Sequence, residues 1–101
     1  MLSSLQGRRS IVTGACGHIG RVICHTLAEL GSDLILLDLK EQNLNILANE
    51  ITNKYCVGVD VFACDFEEPR QVKETLAILN QKYTSINILI NNAAFVGTSG
   101  L

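Results

Sequence analysis

Three glycines set three apart, in Thr13-Gly14-Ala15-Cys16-Gly17-His18-Ile19-Gly20, are the first residues in this chain whose spacing could do chemistry. Glycine lets a chain turn sharply, lets backbone amides close on a bound group, and lets a helix pack tightly on a strand. A turn of this kind that opens a helix also aims unpaired N–H groups and a partial positive charge outward, which suits a diphosphate. A glycine triplet alone serves many strand-to-helix junctions, so its surroundings decide its meaning.

An acid supplies the second half of the pattern. Asp38 stands 18 residues beyond Gly20, where a carboxylate can accept hydrogen bonds from both hydroxyls of an adenosine ribose. The same charge would repel a 2′-phosphate, so the pair favours NAD over NADP as the ligand, with Lys40 two residues on able to soften the discrimination.

Both features need elements to hold them. Ser10-Ile11-Val12-Thr13 is short and β-branched and runs into Gly14, as a buried strand would. Apolar residues then fall at 19, 22, 23, 27 and 30, a helical stripe closed by Gly31. Asp33 to Asp38 is an apolar run between acids, the pattern of a strand covered on both faces. Leu44, Leu47, Ala48, Ile51 and Tyr55 predict a second helix behind Glu41, and Val57 to Cys64 a third strand. Pro69 opens a third helix with Val72, Leu76, Leu79 and Tyr83 on one face, and Ile86 to Ile90 predicts a fourth strand before a loop rich in Gly, Ser and Thr. Strand and helix alternate throughout, and right-handed crossovers make a parallel sheet in order 3-2-1-4 the simplest solution, an α/β half of a Rossmann fold with helices on both faces.

Composition narrows the possible partners. The 101 residues are 48% apolar and 18% charged with a net charge of −2, which fits one globular unit spanning 1–101 and offers no field to draw nucleic acid or acidic lipid. The longest apolar runs, such as Leu34 to Leu37, fall far short of the ~20 residues that span a bilayer. The N-terminal residues reach Arg8-Arg9 without the apolar core of a secretory signal, so a cytoplasmic location is expected. Cysteines at 16, 24, 56 and 64 lack the close spacing of a zinc site and read mostly as buried small hydrophobes in a reducing compartment. His18 lies inside the glycine loop, where its amide matters more than its ring, and His25 falls in mid-helix with no partner evident from the sequence. No metal ligands and no catalytic residues are expected here.

Thr-Gly-x-x-Gly-x-x-Gly, the acid ending strand two, Asp65 ending strand three and Asn91-Asn92-Ala93 after strand four, in that order, resemble the short-chain dehydrogenase/reductase family across essentially the whole chain. The resemblance implies a Rossmann domain that binds NAD or NADP and acts on alcohols, ketones or sugars. Carried over by position, it places Gly14, Cys16, Gly17, His18 and Ile19 along the pyrophosphate and ribose, and Asp38 and Leu39 at the adenine ribose. Asp65 and Phe66 would border the adenine, and Asn92, Ala93 and Ala94 would run beside the ribose and diphosphate. Gly17 stands one residue earlier than in the main branch of the family, as in its extended branch. Asn-Asn-Ala belongs to the main branch, although Ala94 replaces the usual glycine, and the reading sides with that branch. The run Asn91 to Gly97 looks like reductases of bacterial surface-sugar or flagellin-glycan pathways.

The family's proton-transfer pair, Tyr-x-x-x-Lys, has no counterpart, since Tyr55 is followed four residues on by Val59 and Tyr83 by Asn87. The chain is therefore expected to be an incomplete, nucleotide-binding half of such an oxidoreductase, inactive alone, rather than a stand-alone regulatory module. An apolar fourth strand without guarding charge or proline favours the first reading and predicts self-association through that strand.

Overall fold

A computed structural model describes residues 4–93. Strands β1 (Arg9–Thr13), β2 (Asp33–Asp38), β3 (Val59–Ala63) and β4 (Ile88–Asn91) alternate with helices α1 (His18–Glu29), α2 (Glu41–Lys54) and α3 (Pro69–Lys82). All strand pairs are parallel and the sheet order is β3-β2-β1-β4, as the alternation predicts. β1 is thus central, with Ile11 opposite Ile35 on one side and Leu89 on the other.

Strand alternation sends successive side chains to opposite faces. On one face Val12, Leu34 and Leu36 pack with Cys24, Leu27 and Ala28 of α1 and Leu44, Leu47 and Ile51 of α2. On the other, Ile35 and Leu37 meet Leu79 of α3, joined by Ile11, Phe62 and Tyr83. The second layer is thinner, because one helix has to cover a sheet that two helices cover on the opposite side. Leu76, expected on the core face of α3, is 59% exposed; the helix instead turns Thr75 and Leu79 inward.

Element ends follow local hydrogen bonding. α1 closes as the sequence suggests, with Gly31 at φ +99° donating to Ala28 O and Ser32 N donating to Leu27 O, a pairing that satisfies the last carbonyls. β3 is shorter than expected at its start, where Gly58 N–H donates to the Asp33 carboxylate at 2.8 Å. β4 begins at Ile88 rather than Ile86, because the Asn87 side chain takes the Arg9 N–H at 2.9 Å. The Arg9 guanidinium lies 4.7 Å above the Tyr83 ring, whose hydroxyl donates to the Asp60 carboxylate. Burial and then Asp60 push the Tyr83 phenol up, so it stays a donor. No helix among the described residues is long and apolar enough to cross a membrane.

His25 does have partners, both brought from α2 and its C-terminal end: Nε2 lies 2.6 Å from Glu50 Oε2 and Nδ1 lies 3.3 Å from the Tyr55 hydroxyl. Arg21 donates to the same Glu50 oxygen. These bonds, Arg21 first and His25 second, hold the Glu50 carboxyl below its ordinary range. A carboxyl depressed in the folded state contributes stability above the ordinary carboxylate range and loses it as pH falls through the folded value. Glu50→Gln is therefore expected to lower the thermal midpoint at pH 7 by about 2 °C, modest because the pair is exposed. Melts repeated toward pH 3 should show the gap closing; a constant gap would separate Glu50's contribution from its charge.

Candidate functional site

The carboxyl ends of the four parallel strands carry the site, as they do in open α/β sheets generally. A cleft of about 570 Å³ opens there, lined by Gly14, Asp38, Leu39, Cys64, Asp65, Phe66, Glu67, Asn91 and Ala93. Six of the residues singled out from the sequence share it: Gly14, Asp38, Leu39, Asp65, Phe66 and Ala93. Cys64, Glu67 and Asn91 were missed. Asn91 follows from the alternation of β4, whereas Glu67 enters through a turn that no periodicity reports.

The three glycines meet three different surroundings. Gly14 has φ +64°, and a Cβ there would lie 2.9 Å from the Ala93 Cα. At Gly20 a Cβ would fall 2.1 Å from the Gly14 carbonyl oxygen, so α1 can approach the loop only without a side chain. A Cβ at Gly17 would meet only the Gly14 oxygen, at 3.6 Å, an ordinary contact. Two of the glycines are thus required by the protein's own backbone, and the third leaves open space.

Gly17 is the N-cap of α1 with extended backbone, and no side chain caps the helix. Gly17, His18 and Ile19 form an exposed crest over that helix start. An acid is absent from the first turn, so the partial positive charge of the N-terminus is uncompensated by the helix itself. Cys16 behaves differently from its neighbours. It lines a separate hollow of about 170 Å³ with Asn43, Ile46 and Leu47 of α2, while its amide stays on Asp38.

Asp38 closes β2 with both carboxylate oxygens engaged. Oδ2 accepts the Cys16 N–H at 2.8 Å and Oδ1 accepts the Leu39 N–H at 2.7 Å. Asp65 accepts the Glu67 N–H at 3.0 Å, which shapes the turn carrying Phe66 into the cleft. Leu39 and Phe66 remain 56% and 42% exposed, two apolar surfaces beside a polar carboxylate.

A hydroxyl that sequence reasoning gave no role ties the floor together. Thr13 Oγ1 accepts the N–H groups of Asn92 and Ala93 at 2.9 and 3.0 Å and lies 3.1 Å from Asn91 Oδ1 as donor. Asn92 Nδ2 in turn donates to the Gly14 carbonyl at 3.2 Å. The end of β4 is thereby fastened to the glycine turn at the end of β1. Ala94 lies outside the described residues.

Cysteines divide by depth. Cys24 and Cys64 are buried as expected, Cys16 is half-buried, and Cys56 is exposed, contrary to its reading as a core residue, because the chain leaves α2 there before β3 begins.

A family model described as short chain dehydrogenase matches residues 8–100. The 3-oxoacyl-acyl-carrier-protein reductase FabG of Aquifex aeolicus is 33% identical over 89 residues, covering 88% of this chain and 36% of that protein. A human protein named inactive hydroxysteroid dehydrogenase-like protein 1 is 32% identical, covering 85% of this chain and 26% of its own length. Among solved structures, a citronellol catabolism dehydrogenase of Pseudomonas aeruginosa PAO1 superposes with a TM-score of 0.86 at 31% identity, covering 99% of this chain and 44% of that one. L-sorbose reductase from Gluconobacter frateurii, solved with NADPH and L-sorbose, gives 0.85 at 25% identity, covering 94% and 36%. The chain spans about a third of the length of the curated relatives it matches. With the family model spanning residues 8–100, which contain every described strand and helix, the glycine turn and the Asn-Asn-Ala end of β4, this chain belongs to the short-chain dehydrogenase family.

Proposed function

We infer that this chain is the nucleotide-binding part of a dehydrogenase or reductase, that it takes a nicotinamide dinucleotide across the carboxyl ends of β1, β2 and β4, and that it prefers NAD to NADP. The observation that carries the reading is the Asp38 carboxylate, which lines the cleft and is fixed by two backbone amides, one of them from Cys16, the residue before the uncapped start of α1. The open space before Gly17, against the crowding at Gly14 and Gly20, fits a ligand that passes close to the backbone at that position.

In this reading the amides of Gly17, His18 and Ile19 at the start of α1 bind the diphosphate, and Asp38 binds the adenosine ribose. A carboxylate offers about four lone-pair sites. Two are taken by Cys16 and Leu39, which leaves two for the two ribose hydroxyls. Leu39 and Phe66 flank the adenine with apolar surface, Asp65 borders it, and Asn92, Ala93 and Ala94 run beside the ribose and diphosphate. When bound, the nicotinamide would accept or give up a hydride. The proton partner is not within these 101 residues, where neither tyrosine has a lysine four positions on, so the contribution of this chain is to bind and orient. Substrates of the whole protein would be alcohols, ketones or sugars. The surface-sugar resemblance rests on Asn91 to Gly97, a segment mostly outside the described residues. A cytoplasmic setting, with thiols kept reduced, belongs to the same reading.

Calorimetric titration with both dinucleotides tests the proposal. NAD is expected to bind more tightly, and Asp38→Ala should narrow the gap by ~1–3 kcal/mol, the range of one or two charge-assisted hydrogen bonds. Equal affinities for the unmutated chain would remove Asp38 from the ribose. The NADPH in the L-sorbose reductase structure shows why the measurement matters, since a similar fold there is solved with the phosphorylated cofactor.

A further inference from the structure

Cys16 stands in the glycine loop, yet it is not among the residues that line the cleft. It packs against the core under α2, beside Leu47, in a hollow of about 170 Å³. Its backbone N–H donates to Asp38 Oδ2 at 2.8 Å, and its thiol also lies beside that carboxylate. The residue is therefore seated against α2 while its amide holds the acid that faces the ligand. The opposite carboxylate oxygen is held by Leu39, whose amide is adjacent in sequence and moves with Asp38. Of the two amides on the Asp38 carboxylate, only that of Cys16 comes from a different element.

We propose that Cys16 is a positioning residue: its side chain, seated against α2, keeps its own amide on the Asp38 carboxylate and so sets the preference for a ribose over a 2′-phosphate without touching either. This rests on the nucleotide reading above. Burial, and then the Asp38 charge, push the Cys16 thiol up to about 11, so it remains a neutral S–H beside the carboxylate. A thiol that is overwhelmingly protonated near neutral pH suits a seat and is poorly suited to nucleophilic chemistry.

Two measurements test the proposal. First, NAD and NADP are titrated into the full chain carrying Cys16→Val, Asp38→Ala or both, with folding followed by circular dichroism. Cys16→Val should cut the NAD-to-NADP preference about tenfold, the equivalent of one hydrogen bond, and Cys16→Ser, of similar size, should restore most of it. Combined with Asp38→Ala, Cys16→Val should change the ratio no further, since its effect passes through that carboxylate. Equal weakening of both nucleotides, or an effect that persists in the double variant, would overturn the proposal. If Cys16→Val fails to fold, Cys16→Ala takes its place with the same expectations. Second, and independent of any nucleotide, iodoacetamide labelling read by peptide mass spectrometry should find exposed Cys56 reacting first. Asp38→Asn should speed labelling of Cys16 several-fold, roughly as the thiolate fraction rises, while leaving Cys56 unchanged. An unaltered Cys16 rate would show that this side chain does not sense Asp38. Should the unmutated chain bind neither nucleotide while the labelling responds, the site reading fails and takes the specificity role with it, leaving only the Cys16–Asp38 coupling.

Discussion

Gly20→Ala is expected to prevent this chain from folding, while Gly17→Ala leaves the fold intact and removes nucleotide binding. The contrast comes from what each added methyl would meet. At Gly20 the new carbon would sit 2.1 Å from the Gly14 carbonyl oxygen, 2.9 Å from Asn92 Nδ2 and 3.0 Å from the Ala15 Cα, which is backbone on two of three sides. Backbone cannot swing aside as a flexible side chain can, so α1 would have to lift off the turn and uncover Cys24, Leu27 and Ala28. Overpacking alone costs ~1–3 kcal/mol, and partial exposure of three core residues adds to it against a total stability of ~5–15 kcal/mol. At Gly17 the methyl meets nothing closer than 3.6 Å and adopts φ −73°, a conformation open to any residue. Its cost falls on a ligand that must approach the α1 amides. Circular dichroism melts and calorimetry on the two variants check the pair. A folded Gly20→Ala variant, or a Gly17→Ala variant with undiminished binding, would detach the respective glycine from its assigned demand.

The second large effect concerns β4. This strand pairs with β1 alone, and its outer edge has no strand partner among the described residues. Leu89 is 66% exposed and Ile86 37%. The sheet's other edge, β3, is better guarded: Asp60 lies in the strand and the Lys82 ammonium sits 3.6 Å from its carboxylate. Charge at an edge discourages pairing with another chain, and its absence invites it. The chain is therefore expected to self-associate through β4 and to give a dimer or larger species in light scattering at micromolar concentration. Leu89→Lys, which places a charge on that edge without touching the core, should shift the population strongly toward monomer. Fully burying one such leucine is worth ~1.5–3 kcal/mol, and each ~1.4 kcal/mol changes an association constant tenfold. A monodisperse monomer with a sharp cooperative melt in the unmutated chain would exclude this edge as a contact and revive the stand-alone module.

Much of the architecture can be read from local pattern because the pattern is itself the physics. Asp33 to Asp38 reads as a strand buried on both faces, and its four leucine and isoleucine side chains are all buried. Leu44, Leu47 and Ile51 are spaced to line one side of a helix and do so. Periodicity reports which side of an element is apolar, but not whether anything covers it. That is why Leu76 and Cys56 read as core and are exposed. At the site, Asp38 and the glycine turn were legible because spacing along the chain fixes both at strand ends. The pairing of His25 with Glu50, 25 residues away, was not, since it depends on how two helices lie against each other. Thr13 escaped for a similar reason: its partners arrive from the far end of the chain.

That separation has a consequence for when the cleft can exist. The Thr13 hydroxyl and the Asn92 amide are 79 positions apart, and β1 cannot gain its second neighbour until β4 has been made. Closing a loop that long is entropically the most expensive step in assembling the sheet, although its cost rises only logarithmically with length. During synthesis at about 5–20 residues per second, β1 and β2 can pair seconds before the strand that completes the floor leaves the ribosome. The glycine turn, with the Gly14 carbonyl still lacking Asn92, spends that interval half assembled. Cofactor recognition is thus postponed to the end of translation of this region, and a nascent chain arrested before residue 92 should carry β1, β2 and α1 without a competent site.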